Sequence, residues 1–222
     1  MAVMIAGERE TLTVPVWVND LESFRRWSHT EEFPTDAKVL YFDGNILVDG
    51  SMERLLHTIV KAAIATSIRI WSDEYLPGIL CIDSMRFMHK PAKLSSEPDV
   101  VFITDESLTD GTALVKDGDA SLEIEGSPDL VVEIISPSSK YKDEDILLKK
   151  YWQAGVKEYW LADSRKTPTL SILKRNGKKF VAVTADTQGW LRSNVLKAQC
   201  RLVSKPGPAA TTRVTLEMKP WK

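Results

Sequence analysis

Two cysteines in 222 residues are too few for a disulfide framework, and Cys81 and Cys200 lack the spacing of a zinc site. No apolar run approaches the roughly 18 residues that read as a membrane span. The first ten residues, MAVMIAGERE, are too short and too acidic for a secretory signal, which sets a cytoplasmic expectation. A net charge of −2 puts no global basic field around the chain, so composition alone does not advertise nucleic acid. Internal repeats and low-complexity stretches are missing. The fingerprints HExxH, GxGxxG, GxxxxGK(S/T) and GxSxG are also missing, which removes the zinc-protease, nucleotide-binding and serine-hydrolase readings.

What is present is ordinary in bulk: 43% hydrophobic and 27% charged residues, which excludes a disordered, collagenous or coiled-coil chain. The length suits one α/β or all-β domain and does not require two. Charge is unevenly spread. Glu97–Glu133 holds eleven acidic side chains against Lys116 alone, whereas Arg192–Lys222 holds seven basic ones against Glu217. That asymmetry suits a protein gathering a cation and a polyanion together, although solvated loops are the simpler reading of charge by itself.

In NDLESFRRW, Asn19 or Asp20 can cap a helix whose Leu21, Phe24 and Trp27 share a face. Asp43-Gly44 marks a hairpin turn between Val39–Phe42 and Ile46–Val48. The spacing of Met52, Leu55, Leu56, Ile59, Val60, Ala63, Ile64 and Ile68 predicts a long amphipathic helix with Ser51 as N-cap. Strands are expected at Leu80–Met88 and Val100–Thr104, and an exposed hairpin near Ala113–Glu125. The almost continuously β-branched Leu130–Ile135 reads as a central strand. A helix starting at Asp143 or Glu144 carries Ile146, Leu147 and Tyr151, with Gly155 at its αL end. Strands at Glu158–Ala162, Thr169–Leu173 and Phe180–Thr184 follow, and Leu130–Ala162 makes a parallel crossover. The whole is a mixed sheet flanked by helices.

Some residues resist a purely structural account. Pro98-Asp99 and Pro128-Asp129 each stand at the mouth of a hydrophobic strand, where a carboxylate can simply accept backbone N–H groups in a turn. Glu133 is different. Alternation puts it on the face of Asp129, Val131 and Ile135 of a strand covered on both sides. A carboxylate there must be protonated, ion-paired or bound to a metal, because an unpaired one costs several kcal/mol. Carboxylates on neighbouring strand ends, open to water on one side, suit a hard divalent cation such as Mg²⁺. Glu53 and His57, four residues apart, share a helical face that can point to the same sheet edge, although such a histidine is more often a polar residue at the core margin.

EPDVVFITDESL, SPDLVVEIISPSSKYKDED and YWQAGVKEYWLAD together resemble the Uma-two family of endonucleases, within the restriction-endonuclease-like superfamily, over about Tyr41 to Leu202. The superfamily signature is Pro-Asp followed by (Asp/Glu)-x-Lys. The resemblance implies an α/β restriction-endonuclease-like fold, DNA as substrate, and Mg²⁺ (or Mn²⁺) held by Asp99 and Glu133 with help from Glu53. His57 matches a histidine common on that helix, and Asp129 fits the family pattern in a structural capacity. The signature lysine is absent: Ile135 stands two residues beyond Glu133, and Leu147 stands where members supply a lysine from the next helix. Asn45 replaces a frequent glutamate of the hairpin. Among Lys140, Lys142, Lys149 and Lys150, Lys142 beside the helix start is the preferred substitute. The expected division is an N-terminal extension with a helix (1–38), the nuclease domain (39–203) and a C-terminal tail (204–222). A homodimer acting on DNA away from membranes is expected. The alternatives are a weakened nuclease-fold protein that binds nucleic acid or a partner, and a homo-oligomeric structural module suggested by seven tryptophans.

Overall fold

The sequence builds its elements around two apolar faces of one sheet. The structure, a computed structural model, describes residues 2–6 and 12–221, so part of the MAVMIAGERE segment and Lys222 lie outside the described residues. The described chain runs β1 (Ala2–Ala6), α1 (Leu21–Ser28), β2 (Lys38–Phe42), β3 (Asn45–Asp49), α2 (Leu55–Tyr75), β4 (Gly78–Ile82), β5 (Arg86–His89), β6 (Leu94–Ser96) and β7 (Val100–Thr104). It continues through α3 (Asp105–Thr109), β8 (Ala113–Leu114), β9 (Glu123–Gly126), β10 (Leu130–Ile135), a π-helical segment (Lys142–Leu147), α4 (Leu148–Gln153), β11 (Glu158–Asp163), β12 (Thr169–Asn176) and β13 (Lys179–Ala182). The last strands are β14 (Leu191–Ser193), β15 (Ala198–Pro206) and β16 (Thr212–Pro220).

The strands form three sheets, ordered β13-β12-β11-β10-β7-β4, β1-β3-β2-β6-β5-β9-β8 and β14-β15-β16. As the β-branched run predicts, β10 is central, parallel to β11 along its whole length and antiparallel to β7. Alternation sorts its side chains. Leu130, Val132 and Ile134 pack with Val60, Ile64 and Ile68 of α2, with Leu196 of the turn between β14 and β15, and with Leu216 of the third sheet. Val131 turns the other way, toward Leu147, Tyr151, Phe87 and Leu94. Each fully buried aliphatic side chain of α2 contributes about 1.5–3 kcal/mol by leaving water, which fixes the helix on the sheet. This is a mixed α/β architecture, with mixed sheets flanked by helices.

Several local expectations hold. Asp20 caps α1, accepting from Ser23 N–H at 2.7 Å. Asp43 and Gly44 both take positive φ, the geometry a two-residue hairpin requires. Gly155 ends the helical segment at φ +83°, and a Cβ there would meet Ser127 Oγ at 2.6 Å.

Others change. The long helix begins at Leu55 with Arg54 at its N-cap, not Ser51, whose hydroxyl donates to Asp49 Oδ1 at 2.6 Å and accepts from Ser138 Oγ at 2.9 Å. Met52, expected on the apolar stripe, is 90% exposed. Leu80–Met88 is two strands in different sheets, broken where Asp83 and Ser84 adopt left-handed φ. The helix expected from Asp143 or Glu144 opens earlier, at Lys140, and is π-helical over Lys142–Leu147. Thr212–Pro220, in the stretch read as a tail, pairs with β15 along its length and reaches α2, where Ser67 Oγ donates to Leu216 O at 2.8 Å. Among the described residues no helix is long and apolar enough to cross a membrane.

Candidate active site

Asp99 stands at the entrance of β7, after Pro98, almost wholly buried. Its Oδ2 accepts the N–H of Ile134 at 2.7 Å, which ties the carboxylate to the far end of β10. Its Oδ1 accepts from Lys38 at the start of β2 and lies 3.2 Å from Lys61 Nζ on α2. Burial opposes charge on Asp99, but Lys38, Lys61 and His57 outweigh it and hold the carboxyl well below the usual range. Reciprocally, burial works against the Lys38 ammonium and the carboxylates of Asp99 and Glu133 more than restore it.

Glu53 sits just before α2 rather than on it, yet still reaches His57, whose Nδ1 is 3.3 Å from Glu53 Oε2. His57 Nε2 is 3.6 Å from Asp99 Oδ2. Lys61 Nζ also donates to Glu53 Oε1 at 2.6 Å and to Asp83 Oδ1 at 2.8 Å. The close contact with His57, with support from Lys61, lowers the Glu53 pKa to about 2. Glu53, His57 and Asp99 can each offer a ligand atom with all three atoms within 4.8 Å of one another.

Glu133 lies on the inner wall, on the face the alternation assigns it. Its Oε1 accepts from Tyr151 Oη at 2.7 Å, while buried Oε2 has no hydrogen-bond partner. Lys142 Nζ stands 3.9 Å from that oxygen, 3.3 Å from Asp143 Oδ1 and 3.9 Å from Asp49 Oδ2. Burial dominates and pushes the Glu133 pKa up to about 8, against the pull of Lys142. The π-helical segment explains how Lys142 and Tyr151 reach one carboxylate. Nine residues along a regular α-helix turn through roughly two and a half revolutions, placing such a pair on opposite sides. The wider i→i+5 turns of Lys142–Leu147 remove much of that offset.

A cleft of about 310 Å³ opens over these groups, lined by Lys38, Asp49, Glu53, His57, Asp99 and Lys142 among others. Around it the carboxylates of Asp49, Glu53, Asp83, Asp99, Glu133 and Asp143 outnumber the ammonium groups of Lys38, Lys61 and Lys142. That excess, the convergence of carboxylate oxygens with an imidazole, and the unbonded Glu133 oxygen fit a divalent cation.

The sequence-predicted residues thus come together, in two groups. Asp99, Glu53 and His57 converge; Glu133 and Lys142 face each other beside them. Asp129 is elsewhere: it accepts from Thr104 N–H at 2.7 Å, Thr104 Oγ1 and Ser107 Oγ, and pairs with Lys157, at the opposite end of the sheet. Sequence reasoning missed Lys38, Lys61, Asp83 and Tyr151. Lys61 carried a signal, since it follows His57 by four residues on α2 and interrupts an apolar stripe. Lys38 and Asp83 carried none, because β-pairing and a left-handed turn bring them in.

The sequence profile of the Uma2 family, described as "Putative restriction endonuclease", matches residues 21–203. Among solved structures, the chain is similar to "a putative nuclease belonging to DUF820" from Anabaena variabilis. The TM-score is 0.60 at 15% identity, covering 80% of this chain and 90% of that one, a likeness of fold. No curated protein matches the chain. With the profile spanning most of its length, the chain belongs to the Uma2 family.

Proposed function

We propose that this chain is an endonuclease that hydrolyses DNA phosphodiester bonds with the help of Mg²⁺ or Mn²⁺. Glu53, His57 and Asp99 would hold the ion, and Glu133 would add its unbonded oxygen. When bound, the ion supplies polarisation of the phosphate and a more acidic water. The chain's own groups do the rest. Ile134 N–H and Lys38 fix the Asp99 carboxylate in place, and Tyr151 orients Glu133. Lys142 brings a positive charge to the cleft wall, where it stabilises negative charge gathering on the phosphate. The observation that carries this reading is the convergence of Glu53, His57 and Asp99 on one open cleft. A cytoplasmic homodimer belongs to the same proposal, to be checked by fractionation and sedimentation.

The test is a titration of purified protein with Mg²⁺ or Mn²⁺, assayed on supercoiled and single-stranded DNA. Cleavage is expected to require the metal and to vanish in Asp99→Ala and Glu133→Ala. Metal-independent cutting, equal in both variants, defeats the reading. A second reading is favoured by one observation: the ammonium groups of Lys38 and Lys61 already crowd Asp99 Oδ1. If they keep a metal out, the protein binds nucleic acid without cutting it. Salt-sensitive binding with no cleavage at any metal concentration selects that option.

A further inference from the structure

At the end of the sheet that holds Asp129, remote from the cleft, lie two more cavities of about 360 and 660 Å³. They share Lys174 and Asn194 in their walls, so they form one trough along β12, β14 and the start of β15. Lys197 lines its first half and Arg192 its second, beside the half-buried indoles of Trp190 and Trp221. Among the described residues no carboxylate pairs with Lys174, Arg192 or Lys197, and all three are exposed.

The acidic groups on the same walls are largely spoken for. Asp129 is bonded by Thr104 and Ser107 and paired with Lys157. Glu158 accepts from Trp160 Nε1, Ser193 Oγ and the Val195 N–H. Asp186 is turned back onto the N–H groups of Gln188 and Trp190. Glu106 alone stands open against three unpaired cations.

The aromatic groups are arranged with cations rather than buried. Arg192 lies over the Trp221 ring at 5.9 Å, and Arg201 and Lys219 lie over Trp190 at 4.6 and 3.9 Å. Free positive charge spaced along a trough, with indoles fixed beside it, matches the alternation of phosphate and base in a single strand. An anionic lipid surface is flat and asks for no trough, and an acidic peptide asks for no stacking ring.

We infer that the trough lined by Lys174, Arg192, Lys197 and Trp221 is a second nucleic-acid site, one that grips a single-stranded tract outside the cleft. It does not depend on the cleft being catalytic. The test is fluorescence anisotropy of a labelled oligothymidylate in chelator, where cleavage is silent, over a range of salt concentrations. Wild type is expected to bind with a salt slope that falls by about 2 when Lys174, Arg192 and Lys197 are all changed to alanine, since each single-strand phosphate contact contributes about 0.7. Affinity should drop at least tenfold in that variant, and Lys174→Arg with Lys197→Arg should restore most of what the lysines supplied. Trp221→Leu should weaken binding with the slope unchanged. Absence of binding by wild type overturns the inference. So does a folded triple-alanine protein that keeps the wild-type slope, or equal capture of wild type by vesicles containing phosphatidylserine.

Discussion

Replacing Glu133 by glutamine should make the metal-free protein more stable, and increasingly so as pH rises. Burial moves the carboxyl from 4.5 to about 8. Between those values the folded state keeps a proton that the unfolded state has released, so stability falls as pH climbs through that window and the loss is complete above about 8. At about 1.36 kcal/mol per pH unit, the penalty is roughly 3 kcal/mol at pH 7 and roughly 5 kcal/mol by pH 9. Glutamine keeps the shape and the oxygen that accepts from Tyr151, but it cannot ionise. Lys142 is not orphaned by the change, because Asp143 remains 3.3 Å away. Melting temperatures of wild type and Glu133→Gln in chelator should agree at pH 5 and separate by about 10–20 °C at pH 9. A gap that fails to widen with pH would refute the reasoning. It would mean that Glu133 is ionised throughout and that Lys142 more than offsets its burial.

Three further outcomes follow from the same structure. Asp129→Ala, which strips Thr104 and Ser107 of their acceptor, should cost about 2–4 kcal/mol in urea denaturation yet leave metal binding in the cleft intact. Gly78→Ala should lower stability by about 1–3 kcal/mol, since a Cβ there would lie 2.3 Å from Ile103 O and 2.9 Å from the Phe102 ring. Lys142→Met should reduce metal-dependent DNA cleavage at least about 100-fold in single-turnover assays and, because it strands the buried Asp143 carboxylate, should also lower the melting temperature.

Much of this architecture was legible because period and composition agree. Leu130–Ile135 is β-branched and comes out as a strand with the bounds its sequence suggests; Asp43-Gly44 makes its hairpin, and Asp20 its cap. Where the sequence misled, a side chain had a competing partner. Ser51 looks like a helix cap but bonds Asp49 and Ser138 instead, and α2 starts about a turn later, at Leu55. Asp83-Ser84 contains no glycine, so nothing announced that both residues would take left-handed backbone and split one strand into two. In the candidate site, Asp99, Glu133, Glu53 and His57 could be picked from carboxylates near strand mouths and from helical spacing. Lys38 and Lys61 could not be assigned to Asp99, because the pairing of β2 with β3 and the packing of α2 decide what they face. The third sheet was equally hidden: β15 and β16 pair as a hairpin across 207–211, and only their packing on α2 shows that this stretch belongs to the core.

The π-helical segment between Lys142 and Leu147 has an implication for how this protein can change over time. Substitutions there alter chemistry one group at a time, but a change that rewound the coil to its ordinary pitch at its present length would act on two groups at once. The ammonium of Lys142 and the phenol of Tyr151 would then diverge, and Glu133 could keep one escort and not both. The pitch of this stretch, as much as the identity of its members, is therefore what holds the inner wall together.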